Sequence, residues 1–161
     1  MPELTERPLR VAVCGSARTS DSTLLRAAEE IGKRLAEAGA VLVCGGLGGV
    51  MEAAARGAAR VGGLTIGVLP GTDANAANAS IRVPLATGLG EGRNVLVVRA
   101  SNAVIAVGGE WGTLSEVALA RKIGVPVILF RPALAASLGL PEARTAERAV
   151  GDALAMARRP A

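Results

Sequence analysis

The stretch Gly108–Glu116, GGEWGTLSE, places three glycines, a threonine, a lone tryptophan and two glutamates between the apolar run AVIAV and the helical pattern VALARKIG. Glycines at a strand-to-helix turn allow positive φ and let backbone N–H groups approach a ligand oxygen, while the helix N-terminus adds partial positive charge. That combination suits a phosphate. A second turn, CGGLGGVME, echoes the first, with Gly45-Gly46 followed by Gly49 as Gly108-Gly109 is followed by Gly112. A third, CGSARTSDS, carries Gly15 and Ser16. Tight βα connections also use glycine for geometry alone, so each turn taken singly has a purely structural reading. GGLGGVM lacks the third glycine of GxGxxG at its proper place, and GxxxxGK[ST] is absent, which disfavours a standard NAD enzyme and a P-loop NTPase.

Thr113 and Glu116 support two readings. T-L-S-E is a capping box, in which the Thr113 hydroxyl accepts from the amide of Glu116 and the carboxylate reaches back to the amide of Thr113. A carboxylate in the first helical turn facing a phosphate pocket can instead act as a base or stabilise a cation. Spacing leaves both open.

These residues need a scaffold, and the composition says which kind. The chain has 161 residues, half of them apolar, with one Phe, one Trp and no Tyr. Val, Leu, Ile and Ala must fill the interior, as in parallel sheets covered by helices on both faces. There is no histidine, and Cys14 and Cys44 each end an apolar run, where a buried small hydrophobe is expected rather than a disulfide. This excludes most zinc, haem and Ser-His-Asp chemistry. The formal charge of +4 comes from scattered arginines without interleaved aromatics, which argues against a nucleic-acid partner. The N-terminal segment has no signal-peptide core and no stretch is apolar enough to span a bilayer, so a cytoplasmic protein with no membrane association is expected.

Short Val/Ile/Leu runs alternate with helical patterns, predicting repeated βα units in one three-layer Rossmann-like α/β domain over residues 1–161. Strands are expected near residues 9–14, 40–44, 64–69, 103–107 and 126–130. A helix is expected over residues 22–38 with Leu24, Ala28, Ile31 and Leu35 on one face. Further helices are expected after each glycine turn, at RNVLVVRAS and in the tail after Pro141. Residues 70–92 break the rhythm, apart from a possible short strand near Ile81–Pro84. A loop of that length in a compact domain is usually functional or disordered.

GGLGGVMEAAARGA followed by EGRNVLVVRASNAVIAVGGEWGTLSE resembles the Lonely Guy (LOG), or lysine decarboxylase-like, Rossmann family, nearest its bacterial branch related to DprA and to molybdenum-cofactor carrier proteins. The resemblance runs from about Arg10 to Phe130. In the cytokinin-activating members the turn reads PGGxGTxxE with an arginine upstream; Gly109, Gly112, Thr113 and Glu116 match it, and Arg93 falls at the arginine. Gly108 and Glu110 depart from it, placing an acidic side chain in the cradle unless it turns to solvent or pairs with an arginine. Trp111 stands where a ring could stack on a base or cover the sheet edge.

The resemblance implies a phosphoribohydrolase that cleaves the N-glycosidic bond of a nucleoside 5′-monophosphate, not a decarboxylase. Glu116 would stabilise the sugar cation and deprotonate water, and Arg93 would orient the substrate. Gly109, Gly112 and Thr113 would hold the phosphate, with Gly15, Ser16, Gly46 and Gly49 lining the cleft and the loop 72–92 covering it. No metal or organic cofactor is implied. Two alternatives are a carrier or sensor of molybdenum cofactor or a nucleotide without turnover, and, more weakly, a DprA-like single-strand DNA module. A homodimer or tetramer is expected from the small-residue helix faces and from the family.

Overall fold

A computed structural model describes residues 6–159. Seven parallel strands form one sheet: β1 (Arg10–Gly15), β2 (Val41–Cys44), β3 (Thr65–Leu69), β4 (Val83–Ala86), β5 (Ala103–Val107), β6 (Val127–Phe130) and β7 (Glu142–Ala143), in the spatial order β4-β3-β2-β1-β5-β6-β7. The chain therefore builds outward from β1 in one direction through β4, then returns to β1's other edge with β5 and continues to β7. Strand order reverses between β1 and β5, and ligands of open α/β sheets bind at the carboxyl ends of the strands flanking such a point.

Alternation along each strand sends side chains into two separate cores. Val11, Val13, Ile105 and Val107 face α1 (Ser22–Glu37), α2 (Val50–Arg60) and α5 (Ala146–Ala157). Ala12, Cys14, Val104 and Ala106 face α3 (Asn94–Arg99) and α4 (Trp111–Ile123). The sheet is thus covered on both faces, in three layers, as the Val/Ile/Leu runs imply. The face of α1 expected from its spacing, Leu24, Ala28, Ile31 and Leu35, is buried, and Asp21 caps the helix by accepting from the amides of Thr23 at 2.9 Å and Leu24 at 3.1 Å. Cys14 and Cys44 are both free and buried, in opposite cores.

The segment expected to be irregular is more ordered than its pattern suggests. It contains the edge strand β4, two residues beyond the expected start, between 3-10 turns at Ala74–Ala76 and Gly90–Arg93. Side-chain bonds substitute for periodicity: the Thr65 hydroxyl donates to the carbonyl of Ser80 at 2.6 Å and accepts from the Arg82 amide at 2.8 Å. Pro84 is tolerated because an edge strand leaves one side of its backbone unpaired. β7 and the 3-10 turn Leu134–Leu138 also lie outside the expected set. Two residues of ladder carry no readable period.

The helices α1 and α2 pack at backbone distance through glycine. A Cβ on Gly32 would stand 1.9 Å from the Ala54 carbonyl oxygen, and one on Gly57 would stand 1.9 Å from that of Glu29. Neither obstacle is a flexible side chain, so the helices must separate to admit a methyl group. Gly32→Ala is therefore expected to destabilise the protein by about 1–3 kcal/mol in urea unfolding. Gly151→Ala, on the exposed side of α5 with open space around it, is expected to stabilise by up to about 1 kcal/mol.

Candidate functional site

A cavity of about 320 Å³ opens at the carboxyl ends of β1 and β5, at the point of strand reversal. Gly15 and Ser16 reach it from the end of β1, Arg93 and Asn94 from the start of α3, and Gly112, Thr113 and Glu116 from the first turns of α4. Six of the nine residues expected at the site line this cavity: Gly15, Ser16, Arg93, Gly112, Thr113 and Glu116.

The other three glycines do not line it. Gly49 has φ +60 and precedes α2, and a Cβ there would stand 2.1 Å from the Ser16 carbonyl oxygen. That same oxygen accepts from the Val50 amide at 3.0 Å, so Gly49 locks the second turn against the first. Gly46, at φ +78, is hemmed in by Leu69, and its carbonyl accepts from the Asn78 amide at 2.9 Å. Gly45, its neighbour, is the one that packs behind the Arg93 side chain: a Cβ there would come within 2.7 Å of Arg93 Nη2. Gly109 has φ +115, and a Cβ would meet the Thr113 side chain at 2.5 Å. It lines an adjoining depression, also about 320 Å³, that shares Ser16 and Glu110 with the first and reaches Arg131 beyond β6.

The capping box at Thr113 does not form. α4 begins at Trp111, with Glu110 at its N-cap making no side-chain cap bond. Starting there makes Thr113 and Glu116 residues of the helix interior, and the inward face of the helix buries both, at 4% and 6% exposure. Glu116 is thereby freed from its own backbone. Trp111 turns outward, 75% exposed, and lines neither cavity nor sheet edge. Glu110 sits at the exposed rim between the two depressions rather than in the floor of either.

Burial pushes the Glu116 carboxyl from the ordinary carboxylate range up to about 7, against the opposing pull of a hydrogen bond from the Cys14 thiol and of the Arg93 charge; nearby Glu91 adds to the rise. The same environment raises Cys14 well above an ordinary thiol, first by burial and then by Glu116, and raises Cys44 to about 11. Neither cysteine is a nucleophile at neutral pH.

Arg93 is 8% exposed. Its Nη1 donates to Asn94 Oδ1, and its Nε has no hydrogen-bond partner. Asn94 in turn donates to Ser115 Oγ at 2.9 Å, which donates to the Gly112 carbonyl at 2.7 Å. Sequence reasoning missed Asn94, Ser115, Gly45 and Cys14. A polar Asn directly after the arginine, at the start of a helix whose next residues are apolar, was the available signal for the first of these. Among the described residues, no group of three or more His, Cys, Asp or Glu could hold a metal ion. No helix among them is long and apolar enough to cross a membrane.

The arrangement can bind an anion through Arg93 and the α4 amides while presenting a carboxyl poised near neutrality. Comparison with known proteins gives this a lineage: residues 8–157 match the SLOG cluster4 family. The chain belongs to that family. A relative in Archaeoglobus fulgidus, an uncharacterized protein, is 42% identical over 124 residues, 77% of this chain and 81% of the relative. Among solved structures, the molybdenum cofactor binding protein of Rippkaea orientalis superposes with a TM-score of 0.88 at 36% identity, over 94% of this chain and 99% of the other. The molybdenum cofactor carrier protein of Chlamydomonas reinhardtii gives 0.87 at 33%, over 95% and 100%. DNA processing protein A of Helicobacter pylori, at 22% identity and 0.73 over 92% of this chain and 81% of that one, shares the fold.

The Glu116 shift has a consequence for stability. In the unfolded chain the carboxyl ionises near its ordinary 4.5, whereas in the fold it ionises near 7. Between those values the unfolded state loses its proton first, so the fold loses stability as pH rises through this window and levels off above it. Glu116→Gln removes the effect. The variant is expected to match wild type near pH 4 and to exceed it at pH 8 by up to roughly 3 kcal/mol in chemical denaturation.

Proposed function

We propose that the protein binds a phosphorylated heterocyclic compound in the cavity between β1 and β5, and that it hydrolyses the N-glycosidic bond of a nucleoside 5′-monophosphate there. The observation that carries this reading is Glu116: a buried carboxyl, released from any capping role, beside a buried arginine at the sheet's switch point. Departure of the base leaves positive charge on the sugar, which a carboxylate beneath the ring stabilises. The same carboxylate takes a proton from water as the water oxygen bonds to the anomeric carbon, and the departing nitrogen gains a proton in exchange. A group ionising near 7 is suited to that exchange at neutral pH. The amides of Gly112 and Thr113 and the Thr113 hydroxyl would hold the 5′-phosphate at the start of α4. Arg93 would orient the sugar-phosphate.

A second reading is binding without turnover, as a carrier of molybdenum cofactor, itself a phosphorylated pterin. It is supported by the likeness to molybdenum cofactor binding and carrier proteins at 33–36% identity over nearly the whole length of both chains. It also suits the altered turn, in which Glu110 replaces a cradle glycine and stands at the rim. Both readings use the same cavity and the same anion-binding groups. They differ in whether the bond to the heterocycle breaks.

Association into a homodimer or tetramer belongs to the same proposal, supported by the exposed Trp111 and by Leu96 on the neighbouring helix, 75% and 38% exposed. A monomer in sedimentation velocity would remove it. The decisive assay is incubation with AMP and other nucleoside monophosphates while free base is followed by chromatography. Wild type is expected to release base, and Glu116→Gln to lose about 100-fold or more of that rate. Stoichiometric nucleotide or pterin binding with no base released would replace hydrolysis by carriage. Salt-sensitive binding to single-stranded oligonucleotides, with no small-molecule binding, would overturn both.

A further inference from the structure

Arg93 is held in an unusual way for a buried cation. Its hydrogen-bonded neighbour is a neutral amide, Asn94, which is 4% exposed and begins α3. The amide is fixed from its far end by Ser115, one turn into α4, and Ser115 is fixed by the Gly112 carbonyl. The direction of each bond follows from the last. A carbonyl oxygen only accepts, so the single Ser115 proton is committed to Gly112. Towards Asn94 the Ser115 oxygen can then only accept, so the NH₂ of Asn94 must point to Ser115 and its oxygen to Arg93.

We propose that Asn94 is a positioning residue that immobilises the Arg93 guanidinium without neutralising it, and that Ser115 anchors the far end of the amide so that it can do so. An aspartate at 94 would grip the guanidinium more tightly, but its charge would cancel the one that a phosphorylated ligand must meet. The neutral amide leaves the full charge of Arg93 directed at two recipients, a ligand oxygen and the Glu116 carboxyl. The chain Arg93–Asn94–Ser115–Gly112 also ties α3 to the first turn of α4, so the cation and the phosphate-facing amides keep a common frame. This rests on the reading of the cavity as an anion site, but it makes a claim of its own about the ligand-free protein. Ser115 is exposed and lines neither depression, which makes it a handle on Arg93 that leaves the cavity wall unchanged.

The test reads the ionisation midpoint of Glu116 by carbon NMR of its side-chain carboxyl in the ligand-free protein, alongside AMP affinity by calorimetry. The charged and titratable groups that act on Glu116 are Arg93 and Glu91 from the segment entering α3, Cys14 from β1 and, through their mutual effect, Cys44 from β2; none is altered by the substitutions. Asn94→Asp is expected to raise the midpoint by about one unit and to weaken AMP binding about tenfold or more. Ser115→Ala is expected to move both in the same directions by less, with the fold retained in circular dichroism. A structural role alone would leave the midpoint where it is in Ser115→Ala. An unmoved midpoint in folded Ser115→Ala overturns the proposal, and that variant decides alone if Asn94→Asp does not fold. Should wild type fail to bind AMP while the midpoint moves as expected, the functional reading falls and the positioning role stands.

Discussion

The site depends on a carboxyl group removed from water. Glu116 lies on the inward face of α4, and its proton affinity is set by the conflict between burial, which favours the neutral acid, and the Cys14 hydrogen bond together with the Arg93 charge, which favour the anion. A surface carboxylate would be fully ionised at neutral pH and indifferent to its neighbours. Here the balance sits near neutrality, so small changes in the position of Arg93 or in the charge of a ligand decide which form prevails. The surrounding geometry can be understood as the means of holding these two groups at the same end of the sheet.

That geometry begins with strand order. Because β5 returns to the open edge of β1, the turn after β1 and the turn after β5 diverge to opposite faces and leave a crevice between them. α2 is drawn against that crevice by contacts only glycine permits: Gly49 against the Ser16 carbonyl, and Gly15 against Val50, where a Cβ would stand 2.4 Å from the valine's Cγ1. α1 and α2 then close on each other at Gly32 and Gly57. The glycines behind the cavity thus serve its shape, while Gly112 lies open on its wall.

Much of this was legible in the sequence. Alternating apolar runs and helical periods led to a three-layer α/β sheet, and the inward face of α1 followed from a 3.6-residue period alone. The glycine turns pointed to the carboxyl ends of the strands, where the cavity of about 320 Å³ opens. What could not be read was which member of a turn approaches Arg93. Gly45 and Gly46 are adjacent and chemically identical, yet one approaches Arg93 and the other packs on Leu69, a difference set by tertiary contact. The T-L-S-E spacing satisfied a capping rule that the fold overrides by starting α4 at Trp111. Asn94 and Ser115 are 21 residues apart, and no local pattern signals that two small polar side chains on different helices will meet. β4 was obscured because its order comes from Thr65 and its place at the sheet edge rather than from alternation.

In the proposed function the crevice between β1 and β5 seats the ligand, with its anionic group on the α4 turn and its reactive end toward Glu116. A crystal soaked in AMP tests this directly. Phosphate density is expected against the amides of Gly112 and Thr113, with the ribose between Arg93 and the Glu116 carboxyl. Nucleotide bound elsewhere, or a filled crevice in which Glu116 turns away from the sugar, would contradict it.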